Sequence, residues 1–535
     1  MKKLLAFSAI VLCTMATATG CGERGGEKVD STKAQLRVAT FDGGVGDQWL
    51  KNAAKIFEEK CAERDDFQDG RVGVQIHITA DRSCTGDVLE TSDLNKDVYF
   101  TESVDYYALT NLHKLADITD ILTAPNADDG GKTILSKIDG NLLNYMNRDG
   151  KYYAVPFYDC FYGLVYDKDL FSEKSFYMTN EGTFTKNPAD FGTGPNGVAG
   201  DWDDGLPKTY DQFYRMMTVM VQKQVVPFTY SAGNATWYTA RALNSFWSDD
   251  EGYEDVNLNY TFNGTAHHLV KSINADGVAE LEEPTTITRQ NGYLLRKQAG
   301  LYNALSFART ITKDSKNYQP YSSNYDVQDA FINSKYMGGS TKPIAMMFEG
   351  TWWENEAAPS FDNARNMGAE SFNYGFMPIP KSSEDKIGDA TLMNLNESYG
   401  FINANCENMK LAKEFFAFLH SDYQLREFTK ETNMTRGLTY TFDTADFDKI
   451  STYAQDLINI RQCGHAKVVY PCSGLDFFVD NSATFSNKTW PWGTKNYTDS
   501  PIIKFIDDKN LTAEAYFNDH ASLIGEAEWL RMVNR

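Results

Sequence analysis

Apolar and polar residues recur along the chain in two periods, one typical of β-strands and one typical of α-helices. Val38-Ala39-Thr40 ends a strand-like run, and Val72 to Thr79 is rich in β-branched residues and alternates. Between these runs, Asp47 can cap a helix with an apolar stripe formed by Leu50, Ala53, Ala54, Ile56, Phe57 and Cys61. Asp97 to Phe100 predicts another short buried strand. Strands separated by helices predict an α/β protein with a mostly parallel sheet flanked by helices.

Later segments continue the alternation. Thr209 and Gln212 form a capping box that opens a Met-rich helix, and Met409 to His420 carries apolar residues at helical spacing. Two stretches lack this periodicity: 172–205 is rich in Gly, Asp and Asn, and 249–286 is polar and acidic. Both are interpreted as insertions, because long irregular loops in compact domains are usually functional or mobile. The pattern leaves open whether they bind calcium or ligand.

The N-terminus has the pattern of a secretory signal. Lys2 and Lys3 precede an apolar run from Leu4 to Ala16, which is shorter than the roughly 20 residues of a membrane span. Ala18-Thr19-Gly20-Cys21 follows and resembles the lipobox of bacterial lipoproteins, with Ala18 where Leu is usual. The resemblance implies a signal peptide over 1–20, lipidation of Cys21, and a flexible linker over 21–33. An ordinary signal peptide with a chance cysteine is the alternative.

The net charge and composition exclude some classes of binding partner. The chain has a formal net charge of −22, so it repels nucleic acid and anionic lipid headgroups. No later stretch approaches 18 uncharged apolar residues, so the rest of the chain is expected to be soluble. Aromatic residues make up 13% of the chain, more in places than a core alone explains.

The cysteines beyond Cys21 allow two interpretations. None forms a CxxC pair, which argues against zinc-ribbon and thioredoxin sites. Outside the cytoplasm their even number permits disulfides, and Cys463 with Cys472 and Cys61 with Cys84 are the favoured pairs. Buried free thiols are equally consistent with the sequence, and the connectivity stays open for Cys61, Cys84, Cys160, Cys406, Cys463 and Cys472.

Signatures of catalysis and metal binding are weak. The sequence has no HExxH and no GxSxG motif. Asp93, Asn95 and Asp97 imitate the start of a calcium loop but lack the Gly and Glu that complete it, and His267-His268 are poorly spaced for two ligands on one helix face. We therefore predict no catalytic residue, no metal ligand and no cofactor.

Five motifs in order resemble one family, the extracytoplasmic solute-binding proteins of ABC importers, in the carbohydrate-binding group that includes maltose-binding protein. The motifs are YYAVPFYDCFYGLVYDKDLF over 152–171, LPKTYDQF over 206–213, AMMFEGTW over 345–352, Pro378-Ile379-Pro380, and LAKEFFAFL over 411–419. The resemblance covers nearly the whole chain after the linker.

The resemblance implies two α/β lobes, each a mostly parallel sheet flanked by helices, with a ligand cleft between them. Lobe one would hold 34–120 and 398–445, and lobe two 121–397 and 446–535. Crossings between the lobes are expected near Asp117 to Leu122, Asn396 to Gly400 and Thr441 to Phe447.

A sugar presents hydroxyl groups around its rim and C–H groups on its faces, so its site needs flat aromatic rings beside carboxylates, amides and arginine. Several segments carry this mixture where the family binds ligand. The predicted ligand-binding residues are Phe41, Asp42, Glu102, Tyr158, Asp159, Asn234, Trp237, Glu349, Trp352, Trp353 and Arg436. Trp490 and Trp492 are weaker candidates.

The sequence thus predicts a lipid-anchored monomer on the extracytoplasmic face of a bacterial cell membrane. It would close around a sugar or oligosaccharide by a hinge motion and deliver it to the permease subunits of an ABC importer, without catalysis. The alternatives are a binding lipoprotein for a peptide or another polar solute and, with less support, a secreted glycoside hydrolase using paired carboxylates. The sequence names neither the sugar nor the permease.

Overall fold

The fold is built around two five-stranded β-sheets. The computed structural model describes residues 28–395, 398–485, 492–494 and 500–534. The first sheet contains β1 (Ala34–Phe41), β2 (Val74–Asp81), β3 (Val98–Thr101), β4 (Ala154–Pro156) and β17 (Tyr399–Ile402). The second contains β5 (Tyr162–Asp167), β8 (Val226–Ser231), β13 (Tyr318–Tyr321), β14 (Ile344–Gly350) and β15 (Tyr374–Met377).

Within the described residues, short strands form four further two-stranded sheets. These strands are β6 (Tyr177–Met178), β7 (Phe184–Thr185), β9 (Gly264–Ala266), β10 (Val270–Ile273), β11 (Ala279–Leu281), β12 (Thr285–Ile287), β16 (Ala390–Met393) and β18 (Ala466–Val469).

Helices cover the sheets. They are α1 (Gln48–Lys60), α2 (Gly86–Thr91), α3 (Tyr106–Asn111), α4 (Thr119–Thr123), α5 (Gly140–Met146), α6 (Lys168–Lys174), α7 (Tyr210–Gln222), α8 (Ala235–Glu251), α9 (Tyr253–Thr261), α10 (Ala299–Ile311), α11 (Asn324–Asn333), α12 (Trp353–Glu356), α13 (Ala358–Asn366), α14 (Met409–Leu419), α15 (Asp422–Thr432), α16 (Thr452–Gln462), α17 (Asp476–Asp480), α18 (Ser482–Phe485), α19 (Pro501–Asp507), α20 (Ala513–Ala521) and α21 (Glu526–Val533). None of the helices described is long and apolar enough to cross a membrane.

The two large sheets share one strand pattern. Their orders are β2-β1-β3-β17-β4 and β13-β8-β14-β5-β15. In each, the first three strands are parallel, the fourth is antiparallel to them, and the fifth pairs antiparallel with the fourth. The central strands β3, β5 and β14 are buried along their whole length, as expected for strands covered by helices on both faces. The predicted α/β fold with helix-flanked sheets is confirmed.

Several predicted elements lie where the sequence pattern put them. Thr209 is the N-cap of α7 and accepts a hydrogen bond from Gln212 N at 3.4 Å, while Gln212 Oε1 accepts from Lys208 N at 2.9 Å. Asp47 precedes α1, but its carboxylate pairs with Lys51 at 2.7 Å and accepts no capping hydrogen bond.

Other expectations need correction. The segment 249–286 is not irregular, because it holds the end of α8, all of α9, the strands β9 to β11 and the start of β12. The crossing expected near Asp117 to Leu122 precedes β4, which still pairs with β17 of the first sheet, so the chain passes between the sheets over 157–161. The lobe boundaries as a whole stay a prediction, and Asn396 lies outside the described residues.

The six cysteines after Cys21 are all free thiols, so neither favoured disulfide forms. Cys61, Cys84 and Cys160 are buried, where they pack as small apolar side chains. The buried-thiol interpretation is therefore the one that the structure supports.

Candidate ligand-binding cleft

The largest concentration of predicted site residues lines a cleft with a volume of about 670 Å³. It is lined by Phe41, Asp42, Gly43, Gly44, Arg82, Glu102, Ser103, Tyr162, Asn234, Trp237, Tyr238, Arg241, Asn324, Tyr325, Trp352, Asn355, Glu356 and Pro359. Most of these residues follow the carboxyl end of a parallel strand: β1, β2 or β3 in the first sheet, and β8, β13 or β14 in the second. Ligands of open α/β sheets bind at this edge.

The first sheet supplies a mainly polar wall. Glu102 directly follows β3, and its carboxylate accepts a hydrogen bond from the Tyr158 hydroxyl. Partial burial raises the pKa of Glu102 to about 7, although the Tyr158 hydrogen bond and the charge of Arg241 act in the other direction. Near neutral pH this side chain can therefore either donate or accept a hydrogen bond.

The second sheet supplies an aromatic wall centred on Trp352. Its indole meets the Tyr162 ring edge-to-face, with centroids 5.1 Å apart and planes at 80°, and the Tyr238 ring at 6.3 Å. Only 8% of Trp352 is exposed, so its neighbours fix the indole against the cleft. The backbone of Gly350 is not in the left-handed region, and a Cβ at Gly350 would collide with the indole. The glycine is thus needed for space rather than for a tight turn.

Trp237 is a second ring on this wall and is more open to water. It is 52% exposed, and the Arg241 guanidinium lies 4.5 Å from its ring centroid. Arg241 also donates to the Tyr162 hydroxyl at 3.2 Å. The pair therefore presents the flat apolar ring of Trp237 and the N–H donors of the Arg241 guanidinium side by side at the cleft.

Residues of the two walls approach each other closely at Arg82 and at Gly44. Arg82, after β2, donates to the Tyr325 hydroxyl at 3.4 Å and lies 3.9 Å from the Asp42 carboxylate. A Cβ at Gly44 would lie 2.7 Å from the Cβ of Trp352, so glycine permits the close approach of the two walls there.

Six predicted ligand-binding residues line this cleft: Phe41, Asp42, Glu102, Asn234, Trp237 and Trp352. The other five do not, and each has a structural partner. Tyr158 positions Glu102. Trp353 is fully buried, with the Tyr374 ring at 5.2 Å and the Phe361 ring at 5.6 Å.

Asp159, Glu349 and Arg436 are also buried away from the cleft. Asp159 lies in the crossing between the sheets, accepts from Thr435 and Asn394 at 2.8 and 3.1 Å, and pairs with Arg461 at 3.2 Å.

Glu349 accepts from Gln328 at 3.1 Å, and Gln328 also donates to the cleft residue Glu356 at 2.7 Å. Arg436 donates to the Phe157 carbonyl and lies 5.1 Å from the Phe428 ring, bracing an aromatic core. Trp492 is likewise buried and donates to Asn244, while Trp490 and Cys21 lie outside the described residues.

Twelve lining residues were not among the predicted ligand-binding residues: Gly43, Gly44, Arg82, Ser103, Tyr162, Tyr238, Arg241, Asn324, Tyr325, Asn355, Glu356 and Pro359. Ser103, Tyr238 and Arg241 are next to, or one helical turn from, residues that were predicted. Tyr325 is in α11, directly after β13, and is 47% exposed. Its position at the cleft results from the fold, and no sequence motif marks it.

Two sheets whose strand ends face one cleft define a two-lobed α/β binding protein. Residues 86–424 match the family described as bacterial extracellular solute-binding protein. The chain belongs to this family, and membership implies an extracytoplasmic location. No match to a curated protein sequence was found.

Solved structures share the fold over nearly the whole chain. The structure of RafE from Streptococcus pneumoniae is 13% identical, with a TM-score of 0.55 over 93% of this chain and 98% of its own. The GacH receptor of Streptomyces glaucescens is 13% identical, with a TM-score of 0.54 over 94% of this chain and 99% of its own. The cyclic alpha-maltosyl-1,6-maltose binding protein of Arthrobacter globiformis is 14% identical, with a TM-score of 0.53 over 94% of this chain and 100% of its own.

Proposed function

We propose that this protein captures a sugar or oligosaccharide in the cleft and delivers it to the permease subunits of an ABC importer. The observation that carries the proposal is the pairing of an aromatic wall, formed by Trp352, Trp237 and Tyr162, with a wall of polar groups. Flat rings cover the C–H faces of a sugar, and carboxylates, amides and guanidinium groups bind its hydroxyls. Two of the structurally similar proteins support it, since RafE is described in complex with raffinose and GacH in complex with acarbose.

A ligand screen by thermal shift tests the proposal. A ligand at 100 times its Kd stabilises a protein by about 2.7 kcal/mol, which gives a clear rise in Tm. A panel of mono- and oligosaccharides should include compounds that raise the Tm of the wild-type protein. Trp352→Ala should need a higher concentration of the same compound for an equal rise in Tm. A Tm response to peptides with none to sugars would favour the alternative of a peptide-binding lipoprotein.

Ligand capture should close the cleft. The chain passes between the sheets over 157–161, and a rotation about this region would bring the two walls together. Small-angle scattering should show a smaller radius of gyration with saturating sugar. An unchanged scattering profile would argue for a rigid cleft. Incubating the protein with an oligosaccharide distinguishes binding from hydrolysis, because a binding protein should release no smaller sugar products.

The proposal includes a lipid anchor at Cys21, supported by the small residues before it and the polar, Gly-rich linker after it. Cys21→Ser should move the protein to a soluble fraction or leave it unprocessed. Detection of an unmodified mature N-terminus in the wild type by mass spectrometry would contradict the lipid anchor.

A further inference from the structure

A cluster of potential metal ligands lies at the end of α8 opposite to the cleft. Glu251 is the last residue of α8, Asp255 is in the first turn of α9, and His268 precedes β10. Gly252 separates the helices with a φ of 91°, and this break lets the two carboxylates approach the same imidazole.

The distances suit a small tetrahedral ion. His268 Nδ1 lies 3.6 Å from Glu251 Oε1 and 3.3 Å from Asp255 Oδ2, and the ligand atoms of all three residues are within 4.8 Å of one another. Ligand atoms bound at about 2.1 Å around a tetrahedral ion lie about 3.4 Å apart.

Glu251 has one carboxylate oxygen held by the backbone and one that faces His268, whereas Asp255 Oδ2 both accepts from the backbone N of His267 and faces His268. Glu251 Oε2 accepts from Gly300 N at 2.7 Å, whereas its Oε1 has no hydrogen-bond donor although the residue is only 4% exposed. A buried carboxylate oxygen without a donor is costly, and a cation would satisfy it. His268 Nδ1 is also buried, and the Glu251 and Asp255 carboxylates are its ion-pair partners.

A second layer of contacts orients Asp255. His267 N donates to Asp255 Oδ2 at 2.9 Å, and His267 Nδ1 lies 3.1 Å from Asp255 Oδ1. Outer contacts of this kind fix the orientation of metal-binding carboxylates. Lys386, whose charge reaches both Glu251 and His268, is held by the Asp250 carboxylate at 3.3 Å.

We propose that Glu251, Asp255 and His268 bind a divalent transition-metal ion of the Zn²⁺ type, which ties the α8–α9 junction to the start of β10. One imidazole with two carboxylates suits Zn²⁺, whereas Ca²⁺ requires six to eight oxygen ligands. The His268 side chain is 37% exposed, so an ion can enter from solvent and keep a water as its fourth ligand. Sequence spacing pointed away from this site because the adjacent histidines are not on a helix, and only one of them contributes a ligand.

The test measures Zn²⁺ binding to the full mature protein after chelator treatment, by equilibrium dialysis and titration calorimetry. The wild type should bind one Zn²⁺ per chain, and Co²⁺ should give the absorption of a tetrahedral site. Changing a residue that only orients a ligand costs 10- to 100-fold in affinity, so His268→Ala and Glu251→Gln, which remove direct ligands, should each weaken binding at least about 100-fold.

His465→Ala is the matched control, because His465 is an exposed imidazole paired with one carboxylate, Asp389, at 3.2 Å. It should bind Zn²⁺ as the wild type does. Near-ultraviolet circular dichroism checks that each variant is folded. No stoichiometric binding by the wild type, or equal binding by wild type and His268→Ala, would overturn the proposal and leave a protonated His268 paired with two carboxylates.

Discussion

The wall of the cleft from the first sheet and the wall from the second present different side chains. The first carries Asp42, Arg82, Glu102 and Ser103, with one aromatic residue, Phe41. The second carries five aromatic residues, Tyr162, Trp237, Tyr238, Tyr325 and Trp352, beside the polar residues Asn234, Arg241, Asn324, Asn355 and Glu356. Both walls arise from the same strand pattern and from loops at equivalent strand ends.

The difference shows that the fold determines where ligand-contacting residues lie, and loop sequence determines what they do. Rigid aromatic rings lose little conformational entropy on binding and cover large apolar areas, so the second wall is suited to supply most of the affinity. The polar wall is suited to select among hydroxyl patterns, because a hydroxyl that is missing or misplaced leaves a buried polar group unpaired.

The largest expected effect is a loss of stability in Trp353→Ala, because Trp353 belongs to the core and not to the aromatic wall. Trp353 is fully buried among Phe331, Phe361 and Tyr374, so Trp353→Ala should lower the free energy of unfolding by about 3–5 kcal/mol. Sugar affinity of the folded variant should be unchanged. Urea unfolding and calorimetric titration measure the two quantities, and a large loss of affinity would extend the binding wall to Trp353.

The adjacent residue should show the opposite pattern. Trp352→Ala should weaken sugar binding by about 10- to 100-fold, since each 1.4 kcal/mol is a factor of ten and a covered sugar face contributes a few kcal/mol. Its stability loss should be smaller than that of Trp353→Ala. Unchanged affinity with lost stability would show that Trp352 belongs to the core and would remove the contrast between the walls.

On the polar wall, Glu102 should make stability depend on pH. Its pKa of about 7 in the folded protein exceeds the value of about 4.5 for an unperturbed carboxyl, so the folded state binds more protons between these values and stability falls as pH rises through them. Because Glu102 is partly exposed, the loss should be about 1 kcal/mol, and Glu102→Gln should abolish it.

Unfolding in urea at pH 5 and pH 8 measures this difference. Asp42→Asn is the control, as it removes an exposed carboxylate from the same wall and should keep the wild-type pH dependence. An identical pH dependence in wild type and Glu102→Gln would contradict the assignment.

The smallest effect is expected where the walls touch. The Arg82 side chain is 73% exposed, and exposed polar contacts contribute about 1 kcal/mol or less, so Arg82→Ala should change sugar affinity by no more than about fivefold. Tyr325→Phe removes the same hydrogen bond and keeps the ring. A drop of about 100-fold in Arg82→Ala alone would show that the polar wall contributes affinity comparable to that of the aromatic wall.

Strand ends were the part of the site that sequence could predict. Phe41, Asp42 and Glu102 follow runs with clear β-strand patterns, and parallel strands bring such positions to one edge. The α/β fold was predictable for the same reason, because strand and helix periods alternate along the chain.

Side-chain direction was the part that sequence could not supply. Trp352 and Trp353 are neighbours at the start of a short helix, and only tertiary packing against rings of α11, α13, β15 and α16 decides that Trp353 enters the core. Asp159 and Arg436 looked like sugar-binding groups, but tertiary contacts bury both as structural supports. Arg82 and Tyr325 come from segments without a recognisable motif and approach each other only in the fold.

The order of strands in the two sheets has a consequence for how the chain folds. All five strands of the second sheet lie between Tyr162 and Met377, whereas the first sheet joins strands near the start of the chain to β17, which ends at Ile402. Contacts between distant segments form slowly because loop closure must precede them. During synthesis or refolding, β4 must wait for its partner β17 while the second sheet can already assemble, and pulse-labelled hydrogen exchange should show β8 and β14 protected before β4.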